Sequence, residues 1–489
     1  MLDAAAALLH AVLAFDRPME AVLADAVRGG GAAGGDRPGS RDRRLLGDVA
    51  YAAVRRLGWF RHVVAVLDAV SADGSSGVDT DTGTGTGTDI DAGPAFDPTA
   101  GERVAGAVRG TGAVGVPGAV PGRPRRDAAF ARRLASLAWP VAQRGDLDAM
   151  LRPDERAWLV RADALQAALD RASLPDEARF NLPDWIVERL RPGLGDAGLA
   201  AFAAAARHPA PVDLRVNRQK ATRDEVRVAL AAAGVAAEPT PFSPVGLRLP
   251  APVDLSRHAV LADGRAEIQD EGSQLLALAL GARRGETVVD FCAGAGGKTL
   301  ALGAQMRGTG RVLAFDVSGG RLAALAPRLV ASGLANVHTA AIPWSGRGGP
   351  ADARVERLVG KADRVLVDAP CTGLGTLRRH PDLAWRQTPT ALAALVRSQG
   401  EILAAAARLV KPGGTLAYAT CSVLPDENEA VVAAFERDAG PAFVRASPRD
   451  ALERSGVEQA AALVEGDDLV LRTERHGTDG FRAAFWRRA

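Results

Sequence analysis

The sequence predicts a multidomain protein: an all-α N-terminal domain, a small α+β module, and a C-terminal α/β Rossmann-like domain on a seven-stranded sheet. Three observations predict this. The chain has 489 residues, which at roughly 100–200 residues per domain implies several domains. Its first part carries apolar residues at helical spacing and no strand pattern. From about Glu286 to Trp486, short apolar β-rich runs alternate with Ala/Leu-rich helical segments, the texture of a parallel sheet covered on both faces.

In chain order, Leu8, Leu9, Val12 and Leu13 fall on one helical face, and Leu45, Leu46, Val49, Val54 and Leu57 on another. From Ser71 to Pro124 the pattern collapses into a Thr/Gly/Asp tract and a Gly/Val/Pro stretch with almost nothing to bury, expected to be a flexible insertion. Helical pattern resumes near Asp127, so the insertion interrupts one helical domain, taken as residues 1–175. Arg123, Arg125, Arg126, Arg132 and Arg133 form a basic cluster beside it, which reads equally as a phosphate-binding patch or a solvated helix face. Residues 176–265 hold linker helices from about Leu182 and the small module: VDLRVNR, a helix in TRDEVRVALAAAG, then strands in VGLRLP and HAVLADGRAEIQD.

The last domain spans 266–489. ETVVDF, RVLAFD, NVHTAA, ADRVLVDAP and GTLAYATCS are the expected parallel strands, and DDLVLRTE with GFRAAFWRR the expected closing antiparallel hairpin.

Composition narrows the class. Hydrophobic residues at 47% and charged residues at 24% are the mix of a soluble globular protein. No apolar run reaches about 18 residues, and Asp3 stands where a secretory leader wants positive charge, so a cytoplasmic protein with no membrane partner is expected. Lys+Arg 60 against Asp+Glu 58 gives only +2, so global charge identifies no partner. Three cysteines far apart and seven unpaired histidines match no metal pattern, and none is expected.

The strongest local signal runs from Val288 to Thr299: a strand entering the Gly-rich loop Cys292-Ala293-Gly294-Ala295-Gly296-Gly297-Lys298, which opens a helix. Glycines let backbone approach a ligand, and the helix start offers free N–H groups. A triphosphate loop needs its first glycine at 292, which is Cys292, and a dinucleotide loop lacks its third glycine, since Thr299 follows. Asp316, ending the next strand, could hold a ribose hydroxyl of NAD or of S-adenosylmethionine, and spacing alone does not choose.

The later strand ends choose. Asp368-Ala369-Pro370-Cys371 closes the fourth strand and Ala419-Thr420-Cys421-Ser422 the fifth, bringing two thiols to the sheet edge where open α/β folds bind ligands. Hydride transfer has no use for them. Methylation of cytosine C5 does: adding a thiolate at C6 makes the ring nucleophilic at C5. Charge developing at N3 then needs a donor, the role expected of Asp368 in protonated form.

These motifs, with IQDEGSQ (268–274), DAPCTGLGTLRRHPDLAW (368–385), LVKPGGTLAYATCSVLPDENE (409–429) and HGTDGF (476–481), resemble the Fmu/Sun (RsmB-like) ribosomal-RNA cytosine-C5 methyltransferases of the NOL1/NOP2/Sun family. The resemblance implies that Cys421 is the nucleophile and Cys371 aids product release. It implies that residues 292–298 line the S-adenosylmethionine site, with Asp316 on the ribose and Asp368 near both methyl donor and base. It also implies that Arg378, Arg379 and His380 face RNA, that the N-terminal helices are a NusB-like RNA-binding domain, and that the substrate is 16S ribosomal RNA; a monomer is expected. A tRNA cytosine-C5 methyltransferase and a non-catalytic ribosome-assembly factor are the alternatives. The chain departs from the family at Gly294-Ala295, where Ala-Pro is usual, and at Ala341, where the family places an Asp after the third strand.

Overall fold

The computed structural model describes residues 1–28, 39–73, 127–170, 173–250, 253–255, 258–344, 350 and 352–489. The low-complexity tract lies outside them apart from residues 71–73, which continue the helix Leu57–Asp73. Arg123, Arg125 and Arg126 also lie outside. The chain divides into two compact units, residues 1–187 with 384–386, and residues 188–383 with 387–489.

The first unit is helical: Leu2–Val12, Met19–Arg28, Ser40–Arg55, Leu57–Asp73, Ala128–Ala138, Pro153–Ala168 and shorter turns. The apolar faces read from the sequence form its core, with Leu9, Leu13, Val49, Val54, Leu57 and Leu134 fully buried. Asp127 starts the helix after the insertion by accepting from the Phe130 N–H at 2.6 Å, a side-chain cap on a free helix-end donor. Arg132 is held by Asp3 and Glu155, and Arg133 by Asp68 while stacking over Trp158.

The second unit holds two sheets. The smaller has four antiparallel strands in the order β2-β3-β1-β4, namely β1 Val212–Val216, β2 Glu238–Pro239, β3 Gly246–Leu249 and β4 Ala266–Ile268. Its helix Arg223–Ala232 is capped by Thr222, whose side chain accepts from Glu225 while Glu225 reaches back to the Thr222 N–H. The segment HAVLADGRAEIQD, expected as a strand, is instead a short helix Ala259–Ala262 followed by β4. His258 accepts from the Val260 N–H and so starts a helical turn within a β-rich run.

The larger sheet comprises β5 Thr287–Asp290, β6 Arg311–Asp316, β7 Val337–Ala341, β8 Ala362–Asp368, β9 Val410–Thr420, β10 Phe443–Arg445, β11 Val464–Glu465, β12 Asp468–Leu471 and β13 Phe481–Arg488. Its order is β11-β12-β13-β9-β8-β5-β6-β7, with β10 on β13. Strands β7, β6, β5, β8 and β9 are parallel, and β13 runs antiparallel between β9 and β12, so the expected hairpin closes the sheet. Among the described residues this makes nine strands where seven were expected. The two extra ones, β10 and β11, have three and two residues, too few to carry a periodicity.

Both faces of the sheet are buried. On β8, Leu366 belongs to one apolar layer while Val365 and Val367 belong to the other, and Ala417 and Tyr418 of β9 divide likewise. Alternate side chains thus sink into opposite helix layers, each full burial being worth about 1.5–3 kcal/mol, which is why these strands read as unbroken apolar runs. β5 is the turning point of the order, since β6 lies on one side of it and β8 on the other. A crevice opens at the carboxyl ends of such strands.

Candidate active site

The loop after β5 is shaped by two glycines. Gly296 has φ +83°, and a Cβ there would stand 2.3 Å from Leu325 Cδ1, so only glycine lets the helix Gly297–Gln305 start so close to its neighbour. Gly294 has φ +56°, and nothing lies within 4 Å of where its Cβ would be, so this backbone faces open space. Beneath the loop, Asp290 is 1% exposed and accepts from Thr299 Oγ1 at 2.7 Å, while its Oδ1 has no partner among the described residues. Burial pushes the Asp290 carboxyl up to about 7, with Thr299 opposing and Asp368 adding to the rise. Burial also raises the Cys292 thiol well above its usual range.

Asp316, at the end of β6, accepts from the Gly294 N–H at 2.8 Å on Oδ2 and from the Ser318 N–H at 2.7 Å on Oδ1, with Arg321 3.1 Å away. It therefore ties the Gly-rich loop to the next strand and leaves lone pairs for a hydroxyl. Ala341 ends β7, exposed and 3.9 Å from the Cβ position of Gly319, with no carboxylate of its own. Open backbone at Gly294, a helix start at Gly297 and the carboxylate of Asp316 match the needs of a nucleoside with an amino-acid tail, so these residues fit S-adenosylmethionine.

Across the crevice, Lys298 Nζ donates to Asp368 Oδ2 at 2.5 Å and lies 5.2 Å from the centre of the Phe481 ring. Burial works against the Lys298 charge, but the charge and hydrogen bond of Asp368 outweigh it and hold its pKa above the usual lysine value. The Lys298 ammonium resting on Asp368 is therefore a donor at this place.

Cys371 Sγ and Cys421 Sγ stand 3.4 Å apart, although 50 residues separate them in sequence. The loops that carry them are joined by buried hydrogen bonds. Glu427, fully buried, accepts from the Thr372 N–H at 2.8 Å and from Gln399 Nε2 at 3.0 Å on Oε1, and from Thr372 Oγ1 at 2.5 Å on Oε2. Thr372 Oγ1 in turn lies 3.0 Å from Ser422 Oγ, the hydroxyl next to Cys421. Gly375 donates to the Cys421 carbonyl at 2.8 Å, and a Cβ on it would fall 2.1 Å from the Gly480 carbonyl oxygen. That packing explains the Gly in both TGLG and HGTDGF. The hydrogen bond to Cys421 and burial raise the Cys371 thiol well above its usual range, so Cys371 is the thiol that keeps its proton.

Arg378 and Arg379, expected to face RNA, make contacts within the fold. Arg378 is 7% exposed and donates to the Gly477 carbonyl at 3.1 Å. Arg379 donates to Asp479 at 2.7 Å, to Asp270 at 2.9 Å and to the Pro211 carbonyl at 3.2 Å. Their charge is matched within the fold, where they fasten HGTDGF to the N-cap residue of the helix Glu271–Leu280. His380 is half-buried on the same turn. Glu427 lies within LPDENE, where Asp426, Asn428 and Glu429 are polar as well, so its buried role carries no signal in the sequence.

A model of the 16S rRNA methyltransferase RsmB/F family matches residues 277–486, and a model of the ferredoxin-like domain of the same methyltransferases matches residues 182–256. The probable ribosomal RNA small subunit methyltransferase B of Synechocystis is 34% identical over 66% of this chain and 70% of its own length. The ribosomal RNA small subunit methyltransferase B of Pasteurella multocida is 35% identical over 58% of this chain, and that match takes in 63% of its own length, just under two thirds. The crystal structure of PH0851 superposes with a TM-score of 0.63 at 23% identity, covering 99% of this chain and 98% of that one, which shows a shared fold. With a relative this similar over most of its length, the chain belongs to the RsmB/F (Fmu/Sun) family of 16S rRNA methyltransferases.

Proposed function

We propose that this protein is an S-adenosylmethionine-dependent methyltransferase acting on cytosine C5 in small-subunit ribosomal RNA, with the N-terminal helices serving as a NusB-like RNA-binding domain. The observation that carries the reading is the pair of thiols 3.4 Å apart at the carboxyl edge of the sheet, beside the Lys298–Asp368 pair. Bound S-adenosylmethionine would supply an electrophilic methyl group on a sulfonium.

The chain's own residues do the rest. Cys421 Sγ, as thiolate, bonds to C6 of the cytosine, and the displaced π electrons run toward N3, where the Lys298 ammonium on Asp368 supplies the hydrogen bond or proton. C5, now nucleophilic, takes the methyl group. Loss of the C5 proton to a base returns the electrons to the ring and expels the Cys421 thiolate. Cys371, which keeps its proton and faces Cys421, can donate to that departing sulfur. The target base must leave its stack to reach these groups, which costs a few kcal/mol in a helix and favours a loop or immature RNA.

The test uses the full chain with labelled S-adenosylmethionine and small-subunit ribosomal RNA. Wild type yields 5-methylcytidine, Cys421→Ala yields none, and Cys371→Ala accumulates a denaturation-resistant protein–RNA adduct. Methylation that survives Cys421→Ala removes the mechanism, and an adduct seen with Cys421→Ala instead exchanges the two thiol roles.

A further inference from the structure

Outside the machinery described above, the small sheet holds a buried cation with no ion pair of its own among the described residues, one hydrogen bond away from a side chain that lies against the Gly-rich loop. Arg215 on β1 is 4% exposed. Its Nε donates to the neutral Gln269 Oε1 at 2.6 Å, and its Nη1 and Nη2 find no acceptor among the described residues. The acid opposite it in register, Glu267 on β4, is held by another residue: Arg328 donates to Glu267 Oε2 through Nε at 2.8 Å and Nη2 at 2.5 Å. Two guanidiniums therefore share one carboxylate, and one positive charge is left over.

The place of this surplus is specific. Arg328 Nη1 also donates to the Ala295 carbonyl at 2.7 Å, inside the Gly-rich loop. Gln269, the partner of Arg215, has Nε2 3.4 Å from the Cβ position of Gly297, the first residue of the helix whose free N–H groups open on the crevice. Burial pulls the Arg215 pKa down to about 10, with Glu267 opposing, so the group stays a cation at neutral pH. A buried cation lacking a paired carboxylate is strongly unfavourable in the fold alone, so its presence points to a ligand that supplies the missing charge.

We propose that Arg215 is an anion-binding residue of the crevice, its Nη groups taking a ligand oxyanion: the carboxylate of the cofactor's amino-acid tail or a phosphate of the RNA backbone. The identity of the ligand, though not the existence of the site, rests on the methyl-transfer reading.

The experiment compares wild type with Arg215→Met, which keeps the apolar stem, and Arg215→Lys, which keeps the charge. Binding of S-adenosylmethionine, of its decarboxylated analogue and of a ribosomal RNA fragment is measured by equilibrium titration at several salt concentrations. If the carboxylate is the ligand, Arg215→Met binds S-adenosylmethionine about ten- to a hundredfold more weakly, binds the decarboxylated analogue as wild type does, and binds RNA unchanged. If a phosphate is the ligand, cofactor affinity holds, RNA affinity falls, and the slope of log Kd against log salt drops by about 0.7–0.9. In either case the melting temperature stays level or rises and Arg215→Lys recovers part of the loss, because the fold itself does not need the charge. Unchanged affinity for both ligands in Arg215→Met overturns the proposal. Should that variant not fold, Arg215→Gln and Arg215→Lys are compared instead: loss in Gln alone supports the site, and equal loss in both overturns it. Wild type that binds both ligands yet makes no 5-methylcytidine refutes the methyl-transfer reading and leaves the Arg215 result standing.

Discussion

Glu427 offers the most quantitative test of how the two thiol loops are held. Its carboxylate takes three hydrogen bonds, from the Thr372 N–H, Thr372 Oγ1 and Gln399 Nε2, and it is fully shielded from water. Hydrogen bonds to a charged acceptor contribute about 1.5–3 kcal/mol each, and a buried donor left without an acceptor costs about 1–3 kcal/mol. Glu427→Ala strips all three donors, so a loss of roughly 3–6 kcal/mol is expected, readable as a shift of the urea midpoint at constant m. Glu427→Gln keeps the shape and an acceptor for Oε1's two donors, while the third bond must reverse with Thr372 Oγ1 accepting. It should lose only about 1–2 kcal/mol. Both variants should slow methylation more than they weaken cofactor binding, because Thr372 and Ser422 sit next to Cys371 and Cys421 and the 3.4 Å spacing of the sulfurs depends on that bridge. A fall of under about 1 kcal/mol in Glu427→Ala, or wild-type adduct formation in the same variant, would refute the reasoning.

Two further outcomes are expected. Asp290 should make stability depend on pH: with its folded pKa about 7 against an ordinary 3.8, its neutral form is favoured in the fold, so stability is fully present below about pH 4 and is lost as pH rises through 7. Asp290→Asn keeps a partner for Thr299 and should remove that slope, on the order of 1.4 kcal/mol per pH unit at most, leaving the variant more stable than wild type at pH 8 in urea titrations; parallel pH curves would contradict it. Gly375→Ala puts a Cβ 2.1 Å from the Gly480 carbonyl oxygen and 2.8 Å from that of Cys421, both backbone atoms that cannot swing aside. It should lose about 1–3 kcal/mol and most methylation, and a crystal structure of an active, undistorted Gly375→Ala would dismiss the close-packing account.

The helical faces and the parallel strands were legible because each is a local period: Leu8, Leu9, Val12 and Leu13 at helical spacing, and Val365-Leu366-Val367 as a run buried on both sides. The His258–Ala262 turn, β2, β10 and β11 were not, since pieces of two to five residues carry no period and are decided by a cap or by a neighbouring strand. In the site, Cys292, Gly294, Gly296, Lys298, Asp316, Asp368, Cys371 and Cys421 were readable as residue types at strand ends. The ion pairs of the RRH turn were not legible, because a charge run looks the same in sequence whether solvent or Asp270 and Asp479 will neutralise it.

What the sequence determined by itself, then, is the order of helices and strands, the Gly-rich turn and the presence of thiols at strand ends, all set by interactions between residues near in the chain. What only the tertiary structure decided is pairing across the chain: Cys371 with Cys421, Lys298 with Asp368, Glu427 with Thr372, and Arg215 with a neutral amide and, among the described residues, no carboxylate in hydrogen-bond contact. Burial strengthens each such pairing and penalises each vacancy by excluding water, and burial is a property of the packed molecule rather than of any segment.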